Sequence, residues 1–145
     1  MTTIKVLKQA KESIVRDINT LLPQLRENVS EHITSLSELE SIIANTNNIL
    51  MIIEDDGRVI GMATLYMIQK FSKRSGFIED VVVDAAYRGQ GLGKKLMTEL
   101  INTAHTQEVK TIYLTSRPER VAANQLYQKL GFELKNTNVY RLQLT

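Results

Sequence analysis

At 145 residues, 43% hydrophobic and 23% charged, the chain has the make-up of one globular domain, residues 1–145, built on a single core. Without cysteine it can hold no disulfide, thiolate zinc site or cysteine nucleophile, and two histidines as distant as His32 and His105 do not suggest a metal site. No apolar run approaches the roughly 20 residues of a membrane span, no signal-peptide core is visible, and the net charge of +2 includes no dense basic patch, so a cytoplasmic protein with neither a membrane nor a nucleic acid as partner is expected.

In chain order, Ile4 to Leu7 reads as a first strand. Ala10 to Asn28 has helical spacing through Ile14, Ile18, Leu21, Leu22 and Leu25, with Pro23 expected to end or kink the helix. Ser35 to Thr46 reads as a second helix. Ser35 and Glu38 fit a capping box, and Leu36, Leu39, Ile42 and Ile43 form its apolar stripe. Ile49 to Glu54 and Arg58 to Tyr66 form a β-hairpin about Asp55-Asp56-Gly57. Phe77 to Val83, almost wholly apolar after Asp80, reads as a central strand covered on both faces.

Gly91 to Thr106 is expected to be a helix with Leu92, Leu96, Leu100, Ile101 and Ala104 inward. Thr111 to Thr115 is a strand. Arg120 to Leu130 is a helix closed by Gly131, with Leu126 and Leu130 in the core. Phe132 to Leu134 and Val139 to Leu144 are expected to finish the sheet. The order βααβββαβαββ is mixed α/β.

Residues 88 to 93, Arg-Gly-Gln-Gly-Leu-Gly, stand between the central strand and the following helix. Glycines let a backbone approach an anion, and the first N–H groups of a helix lack intrahelical partners, so this arrangement binds phosphate. A Walker-type loop does not fit: Gly89 to Gly93 is one residue too short, and Lys95 stands where a magnesium-binding hydroxyl belongs. A dinucleotide fingerprint would need its third glycine at Lys94. Residues 1–72 hold 7 basic and 9 acidic groups, whereas residues 73–145 hold 11 and 7, so the half with the glycine turn is the one suited to a polyanion.

Arg88, Gly91 and Gly93 satisfy [QR]-x-x-G-x-[GA], and Asn124-Gln-Leu-Tyr127-Gln-Lys-Leu-Gly131-Phe132 follows some thirty residues later. In both stretches, in this order and spacing, the chain resembles the GCN5-related N-acetyltransferase (GNAT) family. The resemblance covers most of the chain and is weakest over the first 45 residues. It implies a mixed, mostly antiparallel central sheet flanked by helices, and a transferase that uses acetyl-CoA as acetyl donor to a primary amine of a small molecule or peptide.

It also implies site residues. In the cofactor-binding turn of Arg88, Gly89, Gln90, Gly91, Leu92, Gly93 and Lys94, backbone N–H groups from Gln90 to Lys94 would cradle the pyrophosphate, with Arg88, Lys94 and Lys95 adding charge. Val81, Val82 and Val83 occupy the strand along which the family's pantetheine arm pairs, and a backbone N–H there polarises the thioester. Asn124 would contact that arm and Tyr127 would act as general acid to the sulfur. Glu79 and Asp80 are the candidate bases. Alternation puts them on opposite faces, and the likeness of Gly76 to Val83 to glucosamine-phosphate N-acetyltransferases selects Glu79, as base or as ligand for the substrate ammonium.

No histidine or other strong base is near. A lysine-like amine needs about 4–5 kcal/mol to be neutral at pH 7 and an α-amine only about 1, so an acceptor of low pKa, such as an amino sugar or α-amine, is expected. Arg117 and Arg120 can bind an anionic substrate group or serve the helix start and coenzyme. A non-catalytic acyl-CoA sensor on the same fold is the alternative function, and glucosamine 6-phosphate is one specific acceptor. The family often dimerises through C-terminal strands. Val139 to Leu144, with one polar and one apolar face, fits a homodimer interface as well as a monomer's outer strand.

Overall fold

A computed structural model describes residues 1–25 and 33–145. His32 and residues 26–28, the end of the first expected helix, lie outside the described residues. The chain divides into two compact units, Met1–Leu114 and Thr115–Thr145.

The first unit is a five-stranded sheet in the order β1-β2-β3-β4-β5, formed by β1 (Thr2–Val6), β2 (Asn48–Asp55), β3 (Arg58–Gln69), β4 (Arg74–Val83) and β5 (Thr111–Tyr113). The first three pairings are antiparallel and the last, β4 with β5, is parallel. Among the described residues this unit has the α-helices α1 (Glu12–Leu25), α2 (Leu36–Ala44) and α3 (Leu92–Thr106).

Alternation along the strands sorts side chains into two layers. Leu50, Ile52, Met62 and Val82 pack with Ile14, Val15, Ile18, Leu21 and Leu39 of α1 and α2. On α3, Leu92, Leu96, Met97, Leu100 and Ala104 are buried. Met97 takes the inward place expected for Ile101, which is only half-buried. Pro23 does not end α1, which runs two residues beyond it. Ser35 caps α2 as expected, its hydroxyl accepting from the Glu38 amide at 3.1 Å.

The second unit contains α4 (Val121–Lys129). The expected strands at 132–134 and 139–144 do not form: these residues carry no ladder, and Leu134, Val139, Tyr140, Leu142 and Leu144 are exposed. Alternation prepares a segment to be a strand, but a strand exists only when a neighbouring edge satisfies its backbone. Leu126 and Leu130, expected in the core, are half-buried.

Candidate functional site

β4 is irregular where the sequence carries its acids. Thr64 pairs with Glu79 and Met62 with Val82, so two steps on β3 match three on β4. That is a β-bulge, and Asp80 takes a left-handed backbone at φ +55° to make it. Residues directly opposite share a face, so the bulge puts Glu79 and Val82 on the same side of the sheet, which strict alternation forbids. Glu79 is exposed and Asp80 half-buried. Both charges help raise the pKa of Tyr66 on β3, after burial as the larger cause. Tyr66 and the buried Thr64 therefore neighbour the acidic pair. Neither was expected, because only the strand register reveals them.

On its other side β4 pairs with β5 at Ser75, Gly76 and Phe77 only. From Ile78 to Val83 that edge has no ladder partner among the described residues. Val82 is buried and Val81 and Val83 half-buried, so what this stretch offers a ligand is its backbone.

The strand runs into a 3-10 turn, Ala85–Tyr87, that is fixed from several directions. The Asp84 carboxylate accepts from the Ala86 amide at 2.9 Å, Gln24 of α1 accepts from the Ala85 amide at 2.8 Å, and the Tyr87 hydroxyl donates to Asp55 at 2.8 Å. Arg88 folds back, its Nε donating to the Val83 carbonyl at 3.2 Å. Gly89 and Gly91 then take φ +81° and +74°. A Cβ on either would meet nothing within 4 Å, so glycine is required by backbone angle rather than by space.

Gly91 is the N-cap of α3 and provides no side-chain cap, leaving the first amides of the helix to another acceptor. Leu92 is buried, so its share is a backbone N–H alone, and Gly93 follows within the first turn. Arg88, Gln90, Lys94 and Lys95 are exposed around this end. Left-handed glycines, a helix start without a side-chain cap and exposed cations are features that suit a phosphate-bearing ligand, and they follow directly on the open backbone edge of β4.

In the second unit, Gly131 at φ +100° terminates α4. Its amide donates to the Gln128 carbonyl at 3.1 Å and that of Phe132 to the Tyr127 carbonyl at 3.0 Å, a Schellman closure. The Phe132 ring meets Tyr127 edge-on with centroids 6.0 Å apart, so the Tyr-x-Lys-x-Gly-Phe spacing is the means by which the helix end holds the tyrosine. Burial pushes the Tyr127 phenol up, against a smaller opposing pull from Arg120. Asn124 is committed locally: its amide nitrogen donates to the carbonyls of Arg117 at 2.9 Å and Arg120 at 2.8 Å. Only its oxygen remains to serve a ligand, and its firmer role is to shape the loop that precedes α4. Ser116 in that loop is half-buried, and its hydroxyl oxygen is buried with no hydrogen-bond partner. Among the described residues there is no cluster fit to hold a metal, and no helix is long and apolar enough to cross a membrane.

The chain is similar to known proteins in sequence and in fold. A glucosamine 6-phosphate N-acetyltransferase of Trypanosoma brucei brucei is 39% identical over 79 residues, 52% of each chain. A spermine/spermidine N(1)-acetyltransferase of Bacillus subtilis is 30% identical over 83 residues, 54% of this chain and 55% of the relative. The chain thus spans about half the length of these curated relatives. A crystal structure of a Trypanosoma brucei acetyltransferase superposes with a TM-score of 0.79 at 29% identity, covering 99% of this chain and 100% of the other. The family model of the GNAT acetyltransferases matches residues 15–132, which include the bulged strand, the glycine turn and the Gly131-Phe132 helix end, and the chain belongs to that family.

Proposed function

We propose that this chain, as one domain over residues 1–145, transfers the acetyl group of acetyl-CoA to a primary amine of a small molecule or peptide. The observation that carries the reading is the continuous segment 78–94, where an open backbone edge leads into two left-handed glycines and an uncapped helix start. Acetyl-CoA, when bound, supplies a thioester whose acyl carbon an amine can attack. The amides from Gln90 to Lys94 hold its pyrophosphate, with Arg88, Lys94 and Lys95 adding charge. The backbone of Val81, Val82 and Val83 takes the pantetheine arm as a short strand, and an N–H there faces the carbonyl oxygen.

Glu79 receives the proton of the acceptor ammonium, directly or through water, and Asp80 beside it adds negative charge that draws the ammonium in. Tyr127 Oη delivers a proton to the departing sulfur. Its raised pKa keeps the phenol protonated at neutral pH, as an acid requires. Asn124 contributes its side-chain oxygen and the shape of the loop. Glucosamine 6-phosphate is the specific acceptor to try first, on the strength of the 39% identical relative. A cytoplasmic location, where acetyl-CoA is abundant, and a homodimer through Val139 to Leu144 accompany the proposal.

The test is thiol release from acetyl-CoA with a panel of amines, comparing the native chain with Tyr127→Phe. Amine-dependent release that falls about 10²-fold or more in the variant, with coenzyme affinity kept, supports the reading. Tight binding of acetyl-CoA without release on any amine overturns it in favour of a non-catalytic acyl-CoA sensor.

A further inference from the structure

On the face that carries Glu79, β4 and β5 present a pair of rings that neither the coenzyme site nor the acid–base pair uses. Phe77 and Tyr113 stack with centroids 5.4 Å apart and planes at 24°. Phe77 stands opposite Tyr66 and two residues before Glu79, so the pair borders the acidic end of the strand. Tyr113 is 38% exposed, leaving the pair open to solvent on its outer side. Lys70, from the turn between β3 and β4, places its Nζ 5.4 Å from the Phe77 centroid and 5.3 Å from the Tyr113 centroid. Among the described residues no carboxylate forms an ion pair with it.

Charge along this strip is ordered. Residues 69–78 contain Lys70, Lys73 and Arg74 and no acid, whereas Glu79 and Asp80 follow directly. Lys73 turns inward, its Nζ donating to Thr111 Oγ1 at 3.5 Å, and Arg74 is held by Asn47 at 3.1 Å. Lys70 is thus the cation left on the ring surface. Two strand residues span about 7 Å, so a cationic end and an acidic end flank an aromatic platform the size of one sugar ring or a short amino-acid skeleton.

We propose that Lys70, seated on the Phe77–Tyr113 pair, determines acceptor specificity by binding an anionic group, a phosphate or carboxylate, on the amine substrate. The acceptor's carbon skeleton lies along the ring faces, its amine points to Glu79 and Asp80, and its anion takes the Lys70 ammonium. Aromatic faces pack well against C–H surfaces, and a charge-assisted bond to an ammonium favours an anionic acceptor over its neutral analogue. This rests on the N-acetyltransferase reading.

The experiment compares matched acceptors, glucosamine 6-phosphate with glucosamine and α-amino acids with their methyl esters, on the native chain, Lys70→Met and Lys70→Glu. Turnover is followed by thiol release, and acceptor binding by calorimetry with coenzyme A present. The expected result is a preference for the anionic member of at least one pair. Lys70→Met should raise its KM about tenfold and Lys70→Glu more, with kcat held and the neutral member unaffected. Release with no anionic preference, or a preference that survives in Lys70→Glu, overturns the subsite while leaving the catalytic reading intact. Acetyl-CoA binding without release on any amine overturns the catalytic reading. The calorimetric comparison then decides the subsite separately: equal binding of anionic and neutral members removes it.

Discussion

Tyr127 stands at a helix end. Gly131 turns the chain into the left-handed region, Phe132 folds back edge-on, and the phenol is desolvated enough to raise its pKa above the ordinary value near 10. The sign matters for catalysis. A raised phenol pKa means the proton is kept, so a general acid at Tyr127 stays competent through the alkaline range where an amine becomes nucleophilic. The rate kcat/KM of the native chain should therefore rise with pH as the amine deprotonates and show no descending limb below about pH 10. A pH profile that turns down near 8 would assign the acid to a group of lower pKa. At Gly91 the constraint is φ +74° with open space around the missing Cβ. Gly91→Asn should be nearly neutral, since asparagine visits that region. Gly91→Val should cost about 1–2 kcal/mol and weaken acetyl-CoA binding, read as a lower Tm and a higher KM for the coenzyme.

At the scale of elements, the bulge in β4 is what puts an acid beside a strand edge. Asp80 at φ +55° is the residue that bears it, and aspartate tolerates that conformation better than a β-branched residue does. Asp80→Gly should keep the melting temperature and acetyl-CoA binding. Asp80→Val should lose about 1–2 kcal/mol and disturb both the Glu79 position and the edge that follows it. Equal stability of the two variants would mean that the bulge tolerates any residue. Much of this framework is legible in the sequence because its signals are local: the Ser35 cap, the Asp55-Asp56-Gly57 hairpin turn, the α3 stripe and Gly131 each act through neighbours within a few residues. The bulge is not legible, since a one-residue slip is defined only against the partner strand. For the same reason Thr64, Tyr66 and the Lys70–Phe77–Tyr113 cluster, assembled across three strands, escape a reading that moves along one.

At the scale of the whole molecule, the longest stretch that departs from its pattern is residues 132 to 145. Tyr140, Leu142 and Leu144 alternate with Arg141 and Gln143, as a half-buried strand would, yet Tyr140, Leu142 and Leu144 are 88%, 82% and 85% exposed. Apolar side chains in this arrangement, on backbone without a ladder, are a template for pairing with another edge. Burying three such side chains is worth about 1.5–3 kcal/mol each, enough to drive association at ordinary protein concentrations once the entropy of joining is met. The native chain should therefore sediment as a dimer at micromolar concentration, and Leu142→Glu with Leu144→Glu should shift it to monomer without changing the melting of α1, α2 and the β1–β4 core, because Leu142 and Leu144 are largely exposed. Sedimentation velocity on both proteins, with circular dichroism for the melt, separates the outcomes. A native chain that stays monomeric removes the homodimer. A double variant that unfolds assigns the segment to the fold of the single chain, as the outer strand its alternation describes.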